Sequence, residues 1–107
     1  MVHSRDGLAA RDIELFFAPV LFLDEGLTPP SGHGFSIAVV CLQPRSVGKL
    51  TLRSSDPLEY PDIDPAFVTD PEDLRVLVKG VEQMRRVVAS APLRDIAERE
   101  RALAMKT

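Results

Sequence analysis

Five of the nine prolines in this chain fall between Leu42 and Leu77, in LQPRSVGKLTLRSSDPLEYPDIDPAFVTDPEDLRVL. A proline fixes φ, has no N–H to donate, and pushes the residue before it out of the helical region. The stretch therefore divides into three devices in a fixed order. Pro44-Arg45-Ser46-Val47-Gly48 is a connection with glycine at its end, suited to a hairpin loop longer than the two-residue types. Lys49-Leu50-Thr51-Leu52-Arg53 alternates polar and apolar strictly, which predicts a short strand with Leu50 and Leu52 facing inward. Pro57, Pro61 and Pro65 then hold residues 56–66 in an extended course with little helix potential.

The third device is a helix with a full set of start signals. Asp70 is placed as N-cap and Pro71 as the first helical residue, where its missing N–H costs nothing. Glu72 and Asp73 put negative charge at the positive end of the helix dipole. Leu74, Leu77, Val78, Val81, Met84 and Val88 recur as one apolar stripe, with Lys79, Arg85 and Arg86 on the other face. Pro92 stops the helix. A second, short helix is expected from about Leu93 to Ala104, with Leu93, Ile96, Ala97 and Leu103 to bury and Arg94, Glu98 and Arg101 solvated.

Upstream, residues 1–11 are a polar lead-in expected to fray. Residues 13–23 (IELFFAPVLFL) are β-branched and aromatic, and Pro19 makes them an edge strand or one interrupted near Ala18-Pro19. Asp24 to Gly34 is a loop by composition. Phe35 to Leu42 is a second strand, and its uniform apolarity suggests burial on both faces. The expected fold class is α+β: a small antiparallel sheet of about three strands, one long helix packed on a face, and a short C-terminal helix. Three strands alone leave open edges, which predicts a homodimer, aggregation or a missing partner segment.

At 107 residues this is one domain at most. A formal net charge of −3 gives no basic footprint for nucleic acid or anionic lipid. Met1 to Gly7 lacks the apolar core of a leader, and the apolar stretch Leu15 to Leu23 is too short to span a bilayer and contains a proline. The lone Cys41, inside Ile37-Ala38-Val39-Val40-Cys41-Leu42, reads as a buried, inert thiol. With no disulfide framework and no leader, a cytoplasmic location is expected.

The wording of these blocks resembles the C-terminal substrate-domain segment of the glucose-methanol-choline (GMC) oxidoreductases, flavoenzymes that include choline dehydrogenase. Gln43 to Leu52 is similar to the family's P-x-S-x-G-x-(V/L)-x-L block, and Ser54-Ser55-Asp56-Pro57 and Ile63-Asp64-Pro65 to two further landmarks. Asp70 to Leu74 opens the helix that follows, and Ser90-Ala91-Pro92-Leu93 resembles the way the family leaves it. Asp12 to Phe17 and His33-Gly34-Phe35 fall where the family has an aromatic strand and a glycine-rich entry. The resemblance covers roughly residues 8–94, and residues 12–107 read as a partial substrate-binding domain.

The resemblance implies FAD in the parent family, a catalytic histidine and a second polar group on the alkoxide. FAD requires a Gly-rich strand-to-helix turn at a helix N-terminus. The nearest pattern, Gly32-His33-Gly34-Phe35, precedes a strand. In the family the catalytic histidine motif lies C-terminal to this segment, beyond Thr107. No catalytic residue, cofactor-binding residue or metal ligand is therefore assigned, and no cofactor is expected on this chain alone.

The remaining polar residues have plainer readings. His3 belongs to the lead-in, and His33 has no Cys, Asp, Glu or His at metal spacing. Asp56, Asp64, Asp70, Glu72 and Asp73 suit turn-forming and capping, without the grammar of a calcium loop. Arg75, Arg85 and Arg86 suit helix-surface pairing with Glu72 and Glu82. Ser46 has no sequence-adjacent base, and Gly48 reads as backbone geometry. The resemblance offers one functional expectation: the first strand lines the substrate pocket. By alternation Leu15 and Phe17 share a face and form the candidate pocket wall, with Phe16 opposite.

Three readings follow. The chain is a flavoenzyme segment without catalysis of its own; or it pairs its open strand edges with a complementing flavin-binding polypeptide; or it is a stand-alone dimerisation or binding module.

Overall fold

The computed structural model describes residues 1–23, 26–29, 31–98 and 100. Its first strand, β1 (Ile13–Ala18), stops immediately before Pro19, as expected of a residue with no N–H to give a ladder. β1 pairs antiparallel with β2 (Ser36–Cys41) in the register Ile13↔Cys41 to Ala18↔Ser36. The alternation of side chains puts Ile13, Leu15, Phe17, Ile37, Val39 and Cys41 on one face.

The helix α1 (Pro71–Ala89) packs on that face, against both strands. It starts as expected: the Asp70 side chain accepts from the Glu72 N–H at 2.8 Å and Pro71 opens the first turn. The helix meets the sheet through Gly80, where an added Cβ would lie 2.3 Å from Val39 Cγ1 and 3.3 Å from Ile13 Cγ2. This close approach corrects the expected stripe. Asp73, Val76, Gly80 and Val81 are buried, whereas Leu74 and Val78 are each 42% exposed.

The expected three-stranded sheet is two separate pairs. β3 (Lys49–Thr51) pairs antiparallel with β4 (Asp62–Asp64), not with β2. The Pro44–Gly48 connection is thus a link between sheets, not a hairpin loop. Leu50 and Leu52 do not face inward; they are 60% and 76% exposed, because among the described residues no element packs on either side of this ribbon. Nor is β2 buried on both faces: Ala38 and Val40 are exposed, since α1 covers one side only.

A short α2 (Leu93–Ile96) follows and ends at Ala97, whose backbone is extended. It is shorter than expected, with no side-chain cap and with Ile96 largely exposed. Too little apolar surface is buried there to carry more turns. Arg101 and Leu103 lie outside the described residues.

The lead-in for which fraying is expected makes specific contacts. Val2 and Ile13 exchange backbone bonds of 2.8 and 3.1 Å, and the Ser4 N–H donates to Asp12 at 2.7 Å. Arg5 pairs with Glu72 at 3.0 Å, and Gln83 donates to the His3 carbonyl at 2.8 Å. Among the described residues only Ile13, Val76 and Val81 are buried hydrophobics, so the core is one thin layer between sheet and helix. No helix among the described residues is long and apolar enough to cross a membrane.

Candidate functional site

β1 carries the two candidate wall residues. Leu15 stands opposite Val39, half-buried beneath α1, and borders an open cleft of about 390 Å³ with Val2, Gln83, Arg86, Val87 and Ser90. Phe17 stands opposite Ile37 on the same face and tilts against Phe35 with ring centroids 5.3 Å apart. Its exposure is 47%. Phe16 takes the opposite, uncovered face with Ala38 and Val40. The strand thus offers apolar side chains on both sides, one partly roofed by the helix and one bare.

A larger open cleft, about 700 Å³, lies between the lead-in and α1. It mixes His3, Arg5, Lys79 and Arg86 with Asp6 and Glu82. Lys79 and Glu82 pair along its α1 side at 2.8 Å, which together with Arg86 holds the Glu82 carboxyl below its usual value. Arg75 pairs with Glu72, as expected for a helix surface, and Arg85 reaches Glu100 at 3.1 Å. His33 is exposed in its loop. Among the described residues no three His, Cys, Asp or Glu side chains converge to hold a metal ion.

Cys41 ends β2 half-buried, and burial pushes its thiol up, with Asp73 and Asp12 adding to the effect. The thiol expected to be buried is thus only half-buried. Asp12 moves the other way. Burial raises its carboxyl, but the bonds from the Ser4 hydroxyl and amide outweigh it and leave the group below the ordinary range.

The most connected polar group was not legible as such in the sequence. Asp73, 3% exposed, accepts from the Arg45 N–H at 2.8 Å and the Ser46 N–H at 2.9 Å, and from the Ser46 hydroxyl. The Ser46 hydroxyl in turn accepts from the Asp70 N–H at 3.0 Å. The Arg45 amide, then the Ser46 hydroxyl, hold the Asp73 carboxyl below its usual value against the opposing effect of burial. Acid-base or nucleophilic chemistry does not follow from this cluster, because each of these donors and acceptors is spent on backbone or on its neighbour.

The α1 N-terminus does not suit a dinucleotide pyrophosphate. Its amide is taken by Asp70, and Glu72 and Asp73 would repel the anion. The described residues therefore present partly exposed apolar side chains on β1 and a structural polar cluster.

Comparison with known proteins gives the family of the chain. The GMC oxidoreductase family model matches residues 44–106, more than half of the chain. The chain belongs to the GMC oxidoreductase family. A GMC-type oxidoreductase of Mycobacterium tuberculosis is 40% identical over 97 residues, covering 89% of this chain and 18% of its own length. Choline oxidase of Arthrobacter globiformis is 34% identical over 103 residues, covering 91% of this chain and 19% of its own. Human mitochondrial choline dehydrogenase is 33% identical over 96 residues, covering 87% and 16%. The GMC segment seen here thus spans less than a fifth of the length of these relatives.

Proposed function

We propose that this chain is a substrate-domain segment of an FAD-dependent alcohol dehydrogenase or oxidase of the choline type, with no catalysis of its own. The observation that carries the reading is the GMC match over residues 44–106, at under a fifth of the relatives' length. In this reading Leu15 and Phe17 are wall residues that exclude water from a substrate, while the flavin and the catalytic base come from elsewhere in the enzyme. The surfaces left bare, Phe16 on the first sheet and Leu50, Leu52 and Ile63 on the ribbon, are those a flavin-binding polypeptide would cover. A cytosolic location is part of the proposal and rests on the single unpaired cysteine.

The test is titration of the purified chain with FAD, followed by calorimetry and flavin fluorescence. No saturable binding is expected from the chain alone. Tight, stoichiometric uptake overturns the reading. Co-expression with a flavin-binding GMC polypeptide is expected to give a complex that oxidises an alcohol with a dye acceptor. A second copy of the chain covering the same surfaces would instead appear in light scattering as a concentration-dependent dimer.

A further inference from the structure

The ribbon of β3 and β4 packs against none of β1, β2, α1 or α2. Its large side chains stand in solvent: Leu52 is 76% exposed, Leu58 87% and Tyr60 86%. A two-stranded ribbon with none of the described elements on either face has no packing from them to fix its direction. Yet the chain enters and leaves it at one point. Arg45 and Ser46 lie on the way in, Asp70 on the way out, and all three backbone N–H groups are held by Ser46 and Asp73 side chains.

The two stems also touch. A Cβ on Gly48 would fall 2.2 Å from the Asp64 carbonyl oxygen and 2.7 Å from the Pro65 carbonyl carbon, so only glycine lets them approach so closely. On the outgoing stem Ala66 and Val68 take φ of 47° and 57°, left-handed values that are costly for a β-branched valine. Asp64 accepts from the Ala66 N–H at 3.0 Å and Thr69 donates to the Ala66 carbonyl at 3.0 Å. The outgoing stem thus has its own local bonds and runs into the capped start of α1 through Asp70, and the Ser46 hydroxyl is what ties it to the incoming stem.

We infer that Ser46 and Asp73 are a positioning pair, a clamp at the root of the β3–β4 ribbon that sets the direction in which the ribbon leaves the helix–sheet body. The pair suits the task chemically. One hydroxyl donates to Asp73 and accepts from Asp70, so it ties the incoming stem to the helix and to the outgoing stem at once. The carboxylate is acceptor-only and meets nothing but donors. Asparagine would turn an NH₂ group toward one of those donors and lose that bond. The inference rests on the geometry of this chain and stands apart from the flavoenzyme reading.

The test uses the full chain in solution, with residual dipolar couplings for orientation and amide exchange for protection. In the wild type, one alignment tensor is expected to fit the ribbon and the body together. In Ser46→Ala, ribbon couplings should need a separate tensor. Exchange at the Asp70 amide, which loses its acceptor, should rise about tenfold, the size of one ordinary hydrogen bond, while β1 and β2 amides stay within about twofold. Ser46→Thr, which keeps the hydroxyl, should restore the single tensor. Asp73→Asn should likewise require a separate tensor, with exchange rising at Arg45 or Ser46, whose amides Asp73 accepts. A common tensor that survives in Ser46→Ala overturns the inference, as does a wild-type ribbon that already needs its own. Equal acceleration throughout the body in Ser46→Ala, or its unfolding, also overturns it by making the pair part of the core.

Discussion

At the scale of single residues, Asp73 combines deep burial with a carboxylate held by donors from a distant loop. Its carboxyl lies below the ordinary value of 3.8 in the folded chain. A depressed acid contributes stability above its unfolded value, and loses it as pH falls through the folded value. The clamp contribution is therefore constant at neutral pH, begins to fall near 3.8 and is lost only as pH passes below the lowered folded value. Urea midpoints of wild type and Asp73→Asn, compared from neutral pH into acid, should draw together as pH falls below about 3.8. Asp12 and Glu82, whose carboxyls are also lowered, cancel because both proteins carry them. A gap that stays constant into acid would show that the Asp73 charge is not what the loop reads. From sequence, Asp73 is legible only as an acid favourable to the helix dipole. Its partners lie 27 and 28 residues away, beyond the reach of any local pattern.

At the scale of elements, Gly80 decides how α1 sits. In an exposed helix, Gly→Ala stabilises by up to about 1 kcal/mol. Here the new methyl would meet Val39 at 2.3 Å, and a stiff valine has little room to yield. Gly80→Ala is expected to cost about 1–3 kcal/mol net by overpacking, read from urea unfolding. Part of that cost should return when Val39→Ala is added, and a Gly80→Ala protein more stable than wild type would refute the packing. The capped start of α1 and the end of β1 were legible because Asp70, Pro71 and Pro19 act on the backbone locally. The buried face was misplaced because periodicity counts apolar side chains, and the contact is centred on a residue with none. β4 was read as plain extended chain, because three residues between Pro61 and Pro65 carry too little pattern to register as a strand. The inward placement of Leu50 and Leu52 assumed a layer that this chain does not supply.

At the scale of the whole molecule, the Cα radius of gyration is 17.5 Å, against about 13 Å for a compact domain of this length. The shape is a slab with apolar residues on its surface, which fits a piece of a larger body better than a self-contained one. Polar substitutions on the ribbon should separate the two possibilities. Leu52→Ser with Tyr60→Ser is expected to shift unfolding of the isolated chain by less than about 0.5 kcal/mol, as for other exposed positions. The same pair should weaken capture by a flavin-binding GMC polypeptide in a pull-down. A large loss of stability in the isolated chain would mean that the ribbon already has a partner surface within it. A ribbon joined to its body by a clamp but by no packed face also has a thermodynamic consequence. The folding free energy divides into two nearly independent accounts, with Ser46 and Asp73 as the coupling between them. Changes at Leu52 and at Gly80 then sum, whereas any pair that includes Ser46 does not. Sequence drift in one half leaves the other untouched until a third surface presses on both.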